Sequence, residues 1–300
     1  MLFEPEHIRI DDITDAQCLE QAITLEVLRL DLIHPIVSGN KLFKLSKFID
    51  AAVQEDAGGL LTFGGAYSNH LVATAFLCRS YGMRSVGIVR GEEPDPLSPT
   101  LSQCIGYDME LRFISREAFA KSHDSRVTHY QKEYPQLHIV PEGGYHPMGV
   151  AGALSIAALI PEPVTHIACA TGTCTMLAGL YLGRKPHQQL VAVPVLKGVH
   201  DSFSRLEYLT GQKPDERFLQ VVEDYHFGGY AKHDNKLIWF MNALYTQYRI
   251  PTDKVYTAKL LYAVKDLIAR NYFPKGSRIL AVHSGGLQGN ASLEAGTLRY

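Results

Sequence analysis

A chain of 300 residues with 46% hydrophobic and 20% charged side chains has the composition of a globular protein and enough length for one large or two modest domains. Its 29 Lys+Arg nearly cancel its 31 Asp+Glu, for a formal net charge of -2, so the basic stripe expected of a nucleic-acid binder is missing. Residues 1–7 hold early acids and no basic n-region, and the longest apolar run, 150–160, is too short for a bilayer and contains glycine. We therefore expect a cytoplasmic protein with no signal peptide, no membrane span and no nucleic-acid partner. Cys18, Cys78, Cys104, Cys169 and Cys174 are odd in number and show neither C-x-x-C nor zinc-like spacing. They are expected to be reduced and mostly buried, with no metal site.

In chain order, Leu42, Leu45, Phe48, Ile49, Ala52 and Val53 recur at helical spacing and predict a helix over 42–55. Ser38-Gly39-Asn40-Lys41 opens it. A cation at a helix N-terminus opposes the macrodipole, which makes Lys41 a candidate for a lowered pKa and for amine chemistry. Taken alone, the segment is read as simply by a surface lysine near a helix start. A buried strand over 59–63 runs into Gly64-Gly65-Ala66-Tyr67-Ser68-Asn69-His70, and a helix follows to about 81. Ser68 or Asn69 would cap it and leave free N–H groups for a carboxylate, although a simple cap explains the same residues. His70 reads as a packing or hydrogen-bonding residue.

Strands are predicted at 85–89, 109–114 and 137–140, with a Pro/Gly loop at 91–96 and a second break at 141–144 that could mark a domain crossing. A strand over 165–168 leads to Thr171-Gly172-Thr173-Cys174-Thr175 before an apolar helix. Its N–H groups and hydroxyls could cradle a small phosphate. The turn is neither a Walker A loop nor a dinucleotide fingerprint, and a plain hydroxyl-rich turn is the competing reading. Cys174 reads as a spacer. Further strands are predicted at 190–195, 218–222 and 279–282, the last followed by His283-Ser284-Gly285-Gly286. A helix opening at Asp253 and running to about 271 carries Tyr256 and Thr257. Strand–helix alternation over the whole length predicts a parallel α/β fold. Glycine turns after three strands predict one shared ligand site.

In order and spacing, the segments from Ser38 to Gly286 resemble the family of 1-aminocyclopropane-1-carboxylate (ACC) deaminases and D-cysteine desulfhydrases, fold-type-II, tryptophan-synthase-β-like enzymes that use pyridoxal 5′-phosphate (PLP). Asn40-Lys41-x-x-Lys44-Leu45 is similar to the cofactor-lysine motif, Gly64-Gly65-x-x-Ser68-Asn69 to the substrate and ring-oxygen loop, and Thr171 to Gly179 to the phosphate loop. The resemblance implies that Lys41 carries the cofactor as a Schiff base and moves the Cα proton. It implies Asn69 on the phenolic oxygen, Ser68 on the substrate carboxylate or in proton transfer, and Thr171, Gly172, Thr173, Cys174 and Thr175 around the phosphate. Tyr256 and Tyr230 resemble the two active-site tyrosines. Thr257, near the pyridine nitrogen, and Ser284 stand where ACC deaminases have glutamate and leucine, which is closer to the desulfhydrase pattern. The chain departs from the family in being shorter, in His70 replacing a glutamine, and in Ala231-Lys232-His233 after Tyr230, where Lys232 and His233 would add charge at the substrate mouth.

The implied architecture is two helix-covered, mostly parallel twisted sheets with the cofactor in the cleft. Residues 1–50 and 146–300 would form the larger cofactor-binding domain and 51–145 the smaller α/β domain, in a homodimer. The implied chemistry is deamination or elimination on a small amino acid: sulfide, pyruvate and ammonia from D-cysteine, or 2-oxobutanoate and ammonia from ACC. Serine/threonine dehydration, β-replacement, and a non-catalytic PLP or metabolite binder are the alternatives. A nucleotide-binding reading lacks its lysine and its fingerprint.

Overall fold

Most strand segments are runs of Leu, Ile, Val and Ala, the composition of strands covered on both faces. The computed structural model describes residues 7–198 and 200–300 and sorts these segments into two sheets. The stretch 1–6, on which the reading of a missing leader mostly rests, lies outside the described residues. The strands are β1 (Ile10–Asp12), β2 (Thr24–Arg29), β3 (Gly59–Gly64), β4 (Arg84–Arg90), β5 (Met109–Ile114), β6 (His138–Val140), β7 (His166–Thr171), β8 (Gln189–Pro194), β9 (Leu219–Val221) and β10 (Arg278–His283).

One sheet has the order β1-β2-β10-β7-β8-β9 and the other β5-β4-β3-β6. All pairings are parallel except β1 with β2. The chain crosses to the four-stranded sheet through the helix Asn40–Gln54 and returns after β6. The fold is α/β, with two mostly parallel sheets.

The sequence pattern does not signal β1 and β2. In β2, Glu26 and Arg29 interrupt the apolar run, and tertiary pairing makes them tolerable. Arg278 donates to both Glu26 oxygens at 2.7 Å, while buried Arg29 donates to Asp31 and Asp11. A charge enters a sheet when another segment brings its counter-charge.

Helices cover both faces of each sheet. On the six-stranded sheet, Ile279 and Ala281 pack with Leu260, Leu261, Val264 and Ile268 of the helix Thr257–Ala269. Leu280 and Val282, alternating to the other face, pack with Met176, Leu177 and Leu180 of the helix Thr175–Gly183. On the four-stranded sheet, Leu60 faces Leu45, Phe48 and Ile49, while Leu61 and Phe63 face Tyr130 and Tyr134. Each such apolar side chain contributes about 1.5–3 kcal/mol on burial. All five cysteines are free and buried. Among the described residues, no helix is long and apolar enough to cross a membrane and no cluster of three or more His, Cys, Asp or Glu could hold a metal.

The helix Pro147–Ala153 packs against Asn40–Gln54 at backbone contact. A Cβ on Gly152 would lie 2.0 Å from Phe43 O. Gly152→Ala should force the helices apart and cost about 1–3 kcal/mol. A thermal melt checks this: an unchanged midpoint would show that the two helices are not tightly seated.

Candidate active site

The strand ends carry the site. β7 and β10 in one sheet and β3 in the other run into glycine turns, and these border a single cavity of about 390 Å³.

Lys41 is the second residue of Asn40–Gln54. Gly39 makes its placement feasible: it has φ +69°, and a Cβ there would lie 1.8 Å from Ser284 O. The helix start is fastened to the turn after β10. Asn40 N donates to Ser284 O at 3.0 Å, and Ser38 Oγ accepts from Gly286 N at 3.3 Å. Lys41 is half-buried on the cavity wall, and its Nζ donates to Asn40 Oδ1 at 2.8 Å. Desolvation lowers its pKa from 10.5 to about 8, opposed by the charge of Asp253.

One helical turn on, Lys44 shares this face. It is buried, donates to Gly143 O at 3.4 Å, and is pushed well down in pKa by burial and by the charge of Lys41. A Cβ on Gly143 would touch Thr173, so Lys44 and the threonine turn meet at this glycine.

Thr171, Gly172, Thr173 and Cys174 line the cavity. Cys174 bends the chain into Thr175–Gly183 with φ +62°, and no side chain caps that helix start. Its first N–H groups are available to an anion. Across the cavity, Ser68 caps Asn69–Ser80, its Oγ accepting from Leu71 N at 3.4 Å. Asn69 donates through Nδ2 to Gly286 O at 3.2 Å, and its buried Oδ1 has no partner among the described residues. His70 is buried on Thr62 Oγ1 at 2.9 Å. Burial, reinforced by Lys41 and Lys44, drives its pKa down to about 3. It is a neutral hydrogen-bonding residue on the wall, not a base.

Tyr256 and Tyr230 close the other side, rings 6.3 Å apart and 74° inclined. Burial raises both phenols, Tyr256 well above 10 and Tyr230 less strongly. Tyr230 is 43% exposed over its whole surface, so the desolvated part is the part facing the cleft. Ser284 also lines the cavity.

Two sequence-predicted residues do not reach the cavity surface. Thr175 is fully buried, its hydroxyl 3.0 Å from Thr173 Oγ1. Thr257 is fully buried, donating to Asp253 Oδ1 at 2.7 Å and accepting from Asp253 N at 2.8 Å. The helix there starts at Thr257, later than the expected Asp253, because Asp253 instead accepts from the N–H groups of Val255, Tyr256 and Thr257. Lys232 and His233 are exposed and are not among the lining residues. Sequence reasoning did not place Arg90, Glu142, Leu196 or Arg205, which line the cavity. Arg90 ends β4 and could have been found as a charge at a strand's carboxyl end. Arg205 carries no local signal.

The model of the family described as pyridoxal-phosphate dependent enzymes matches residues 12–285. The chain belongs to this family. It is 28% identical, over 88% of each chain, to a protein of Thermotoga maritima provisionally named 1-aminocyclopropane-1-carboxylate deaminase. It is 25% identical, over 83% of each chain, to a D-cysteine desulfhydrase of Klebsiella pneumoniae. A crystal structure of an ACC deaminase homologue shares the fold, with TM-score 0.81 and 24% identity over 95% of this chain and 90% of that one.

The cofactor of the family is pyridoxal 5′-phosphate, and the cavity residues fit it. A desolvated amine suits its aldehyde, an uncapped helix start beside Lys44 suits its phosphate, and the unpartnered Asn69 amide oxygen is a polar group awaiting a ligand.

An amine titrating near 8 is about half neutral at pH 8, whereas an ordinary lysine is less than about 1% neutral there. Condensation of cofactor-free protein with PLP should therefore speed up to about pH 8 and then level off. Borohydride should then fix the label on the peptide holding Lys41. A rate still climbing at pH 10 would mean that this lysine is not desolvated.

Proposed function

We propose that the protein is a PLP-dependent lyase/deaminase of small amino acids, acting by D-cysteine desulfhydrase-like β-elimination or by ACC deaminase-like ring opening. One observation carries the reading: the lowered-pKa amine of Lys41 shares a cavity with the threonine turn and with Asn69. The names of the relatives point the same way.

When bound, PLP supplies the electron sink that acidifies the Cα–H bond of an amino acid. In this reading Lys41 would hold the cofactor's aldehyde end through its Nζ, and the same nitrogen, when free, would take up and hold the substrate's Cα proton. Because desolvation leaves about half of the amine neutral at pH 8, that fraction is a competent base without prior deprotonation. The N–H groups of Thr173 and Cys174, with Lys44 beside them, would hold the phosphate, Thr175 would fix the Thr173 hydroxyl from beneath, and Thr171 and Gly172 would shape the approach. Asn69 addresses the ring oxygen. Ser68 and the start of Asn69–Ser80 receive the substrate carboxylate. Tyr230 and Tyr256, with raised pKa values, remain protonated and donate hydrogen bonds or a proton across the cavity. Thr257 and Ser284 stand where a carboxylate would keep the ring nitrogen protonated; Thr257 spends its hydroxyl on Asp253, so only the hydroxyl of Ser284 would be offered there, and a less protonated ring favours elimination over transamination. Of the two, Ser284 is on the cavity surface.

The reading also divides the chain into a larger domain, 1–50 and 146–300, and a smaller one, 51–145, which accommodates the contiguous origin of the four-stranded sheet. It makes the molecule a cytoplasmic homodimer, and light scattering in solution tests the subunit number.

Holoenzyme given D-cysteine should release sulfide, pyruvate and ammonia; given ACC, 2-oxobutanoate and ammonia. Lys41→Ala should cut turnover by about 10²–10⁴-fold or more while leaving the melting temperature near that of the parent. Full activity in that variant, or no keto acid from either substrate, sinks the proposal.

A further inference from the structure

Lys259 is among the largest fully buried side chains, at 0% exposure, and it is not among the residues lining the cavity. A buried ammonium is retained only where hydrogen bonds and counter-charge offset its desolvation. Its Nζ donates to His226 O at 2.8 Å and to Gly229 O at 2.7 Å. Burial lowers its pKa to about 8, and Asp253 opposes that shift as it does for Lys41.

The two carbonyls bracket a loop of unfavourable backbone. Phe227, Gly228, Gly229 and Ala231 have φ of +51°, +90°, +121° and +56°. Left-handed conformations at Phe227 and Ala231 persist only where their surroundings over-determine them. Inside the loop, Gly229 N donates to His226 O at 3.0 Å and Lys232 N to Gly229 O at 3.1 Å. The oxygens that close these turns are the two that Lys259 grips. Tyr230 sits within the clamped stretch, its ring against Tyr256. Lys259 lies three residues beyond Tyr256, at the start of Thr257–Ala269. A single helix start thus holds both tyrosines, Tyr256 through the chain and Tyr230 through an ammonium.

We propose that Lys259 is a positioning residue for the reaction: its buried ammonium clamps the loop 226–231 so that Tyr230 closes the cavity against Tyr256. The part played by the tyrosines rests on the activity proposed above; the clamp itself does not.

The test pairs a substrate-independent readout with an epistasis readout on holoenzyme. In Lys259→Met, hydrogen exchange of the amides 226–232 should speed up by about tenfold or more, while Asn40–Gln54 keeps its protection. Equal protection in that loop overturns the clamp. In kinetics on D-cysteine and ACC, Lys259→Met should reproduce most of the kcat/KM loss of Tyr230→Ala. In the Tyr230→Ala background it should add less than about twofold, because the two changes remove one interaction. Multiplying losses overturn the positioning role and leave Lys259 merely structural. If methionine prevents folding, Lys259→Gln takes its place with the same readings. If the parent turns over neither substrate, the proposed activity fails, and the exchange experiment still decides the clamp.

Discussion

The site depends on a backbone contact between segments some 240 positions apart: the Asn40 N–H on the Ser284 carbonyl, with Gly39 pressed against the same peptide group. There is no room for a side chain. Gly39 supplies both the left-handed φ and the missing Cβ, and the start of the Lys41 helix docks on the end of a central strand. This contact brings an amine from the crossover helix to the carboxyl ends of the six-stranded sheet. Ser38, bonded to Gly286 N and to Asp31 O, makes the junction rigid.

Around that junction the charges are spaced to be costly but tolerable. Lys41, Lys44 and Lys259 are all desolvated and all lowered in pKa. The buried Asp253 carboxylate lies within Coulomb reach of Lys41 and Lys259, and neutral donors from its own chain satisfy its oxygens. It therefore stabilises nearby cations without forming an ion pair that would hold either amine permanently protonated. Lys44 is lowered by burial and by the charge of Lys41, and a bound phosphate would be its natural counter-charge.

Much of this was legible in the sequence, because strand and turn chemistry are local. Apolar runs and glycine punctuation placed the middle and late strands, and the misplaced cation at 41 marked an amine that the structure desolvates on the cavity wall. The Ser68 cap follows from residue type alone. What escaped has a common cause. β2 was hidden because Glu26 depends on Arg278 from a distant strand, and Arg29 on Asp11 of the neighbouring strand as well as on nearby Asp31. Thr257 looked available to a ligand because nothing local shows that Asp253 already occupies its hydroxyl. Arg205 comes from a helix whose sequence says nothing of the cavity, and Lys259 reads as one more helical lysine until the 226–231 loop folds over it.

By itself, the sequence determined the fold class and the three glycine turns that border the cavity, since periodicity, capping and glycine geometry act over a few residues, while the cofactor came from the resemblance of its motifs to a known family. The tertiary structure alone decided which hydroxyls face the cavity, which lysines lose their water, and which buried charges find partners. Those outcomes depend on desolvation and pairing between remote segments, and both are properties of the assembled fold.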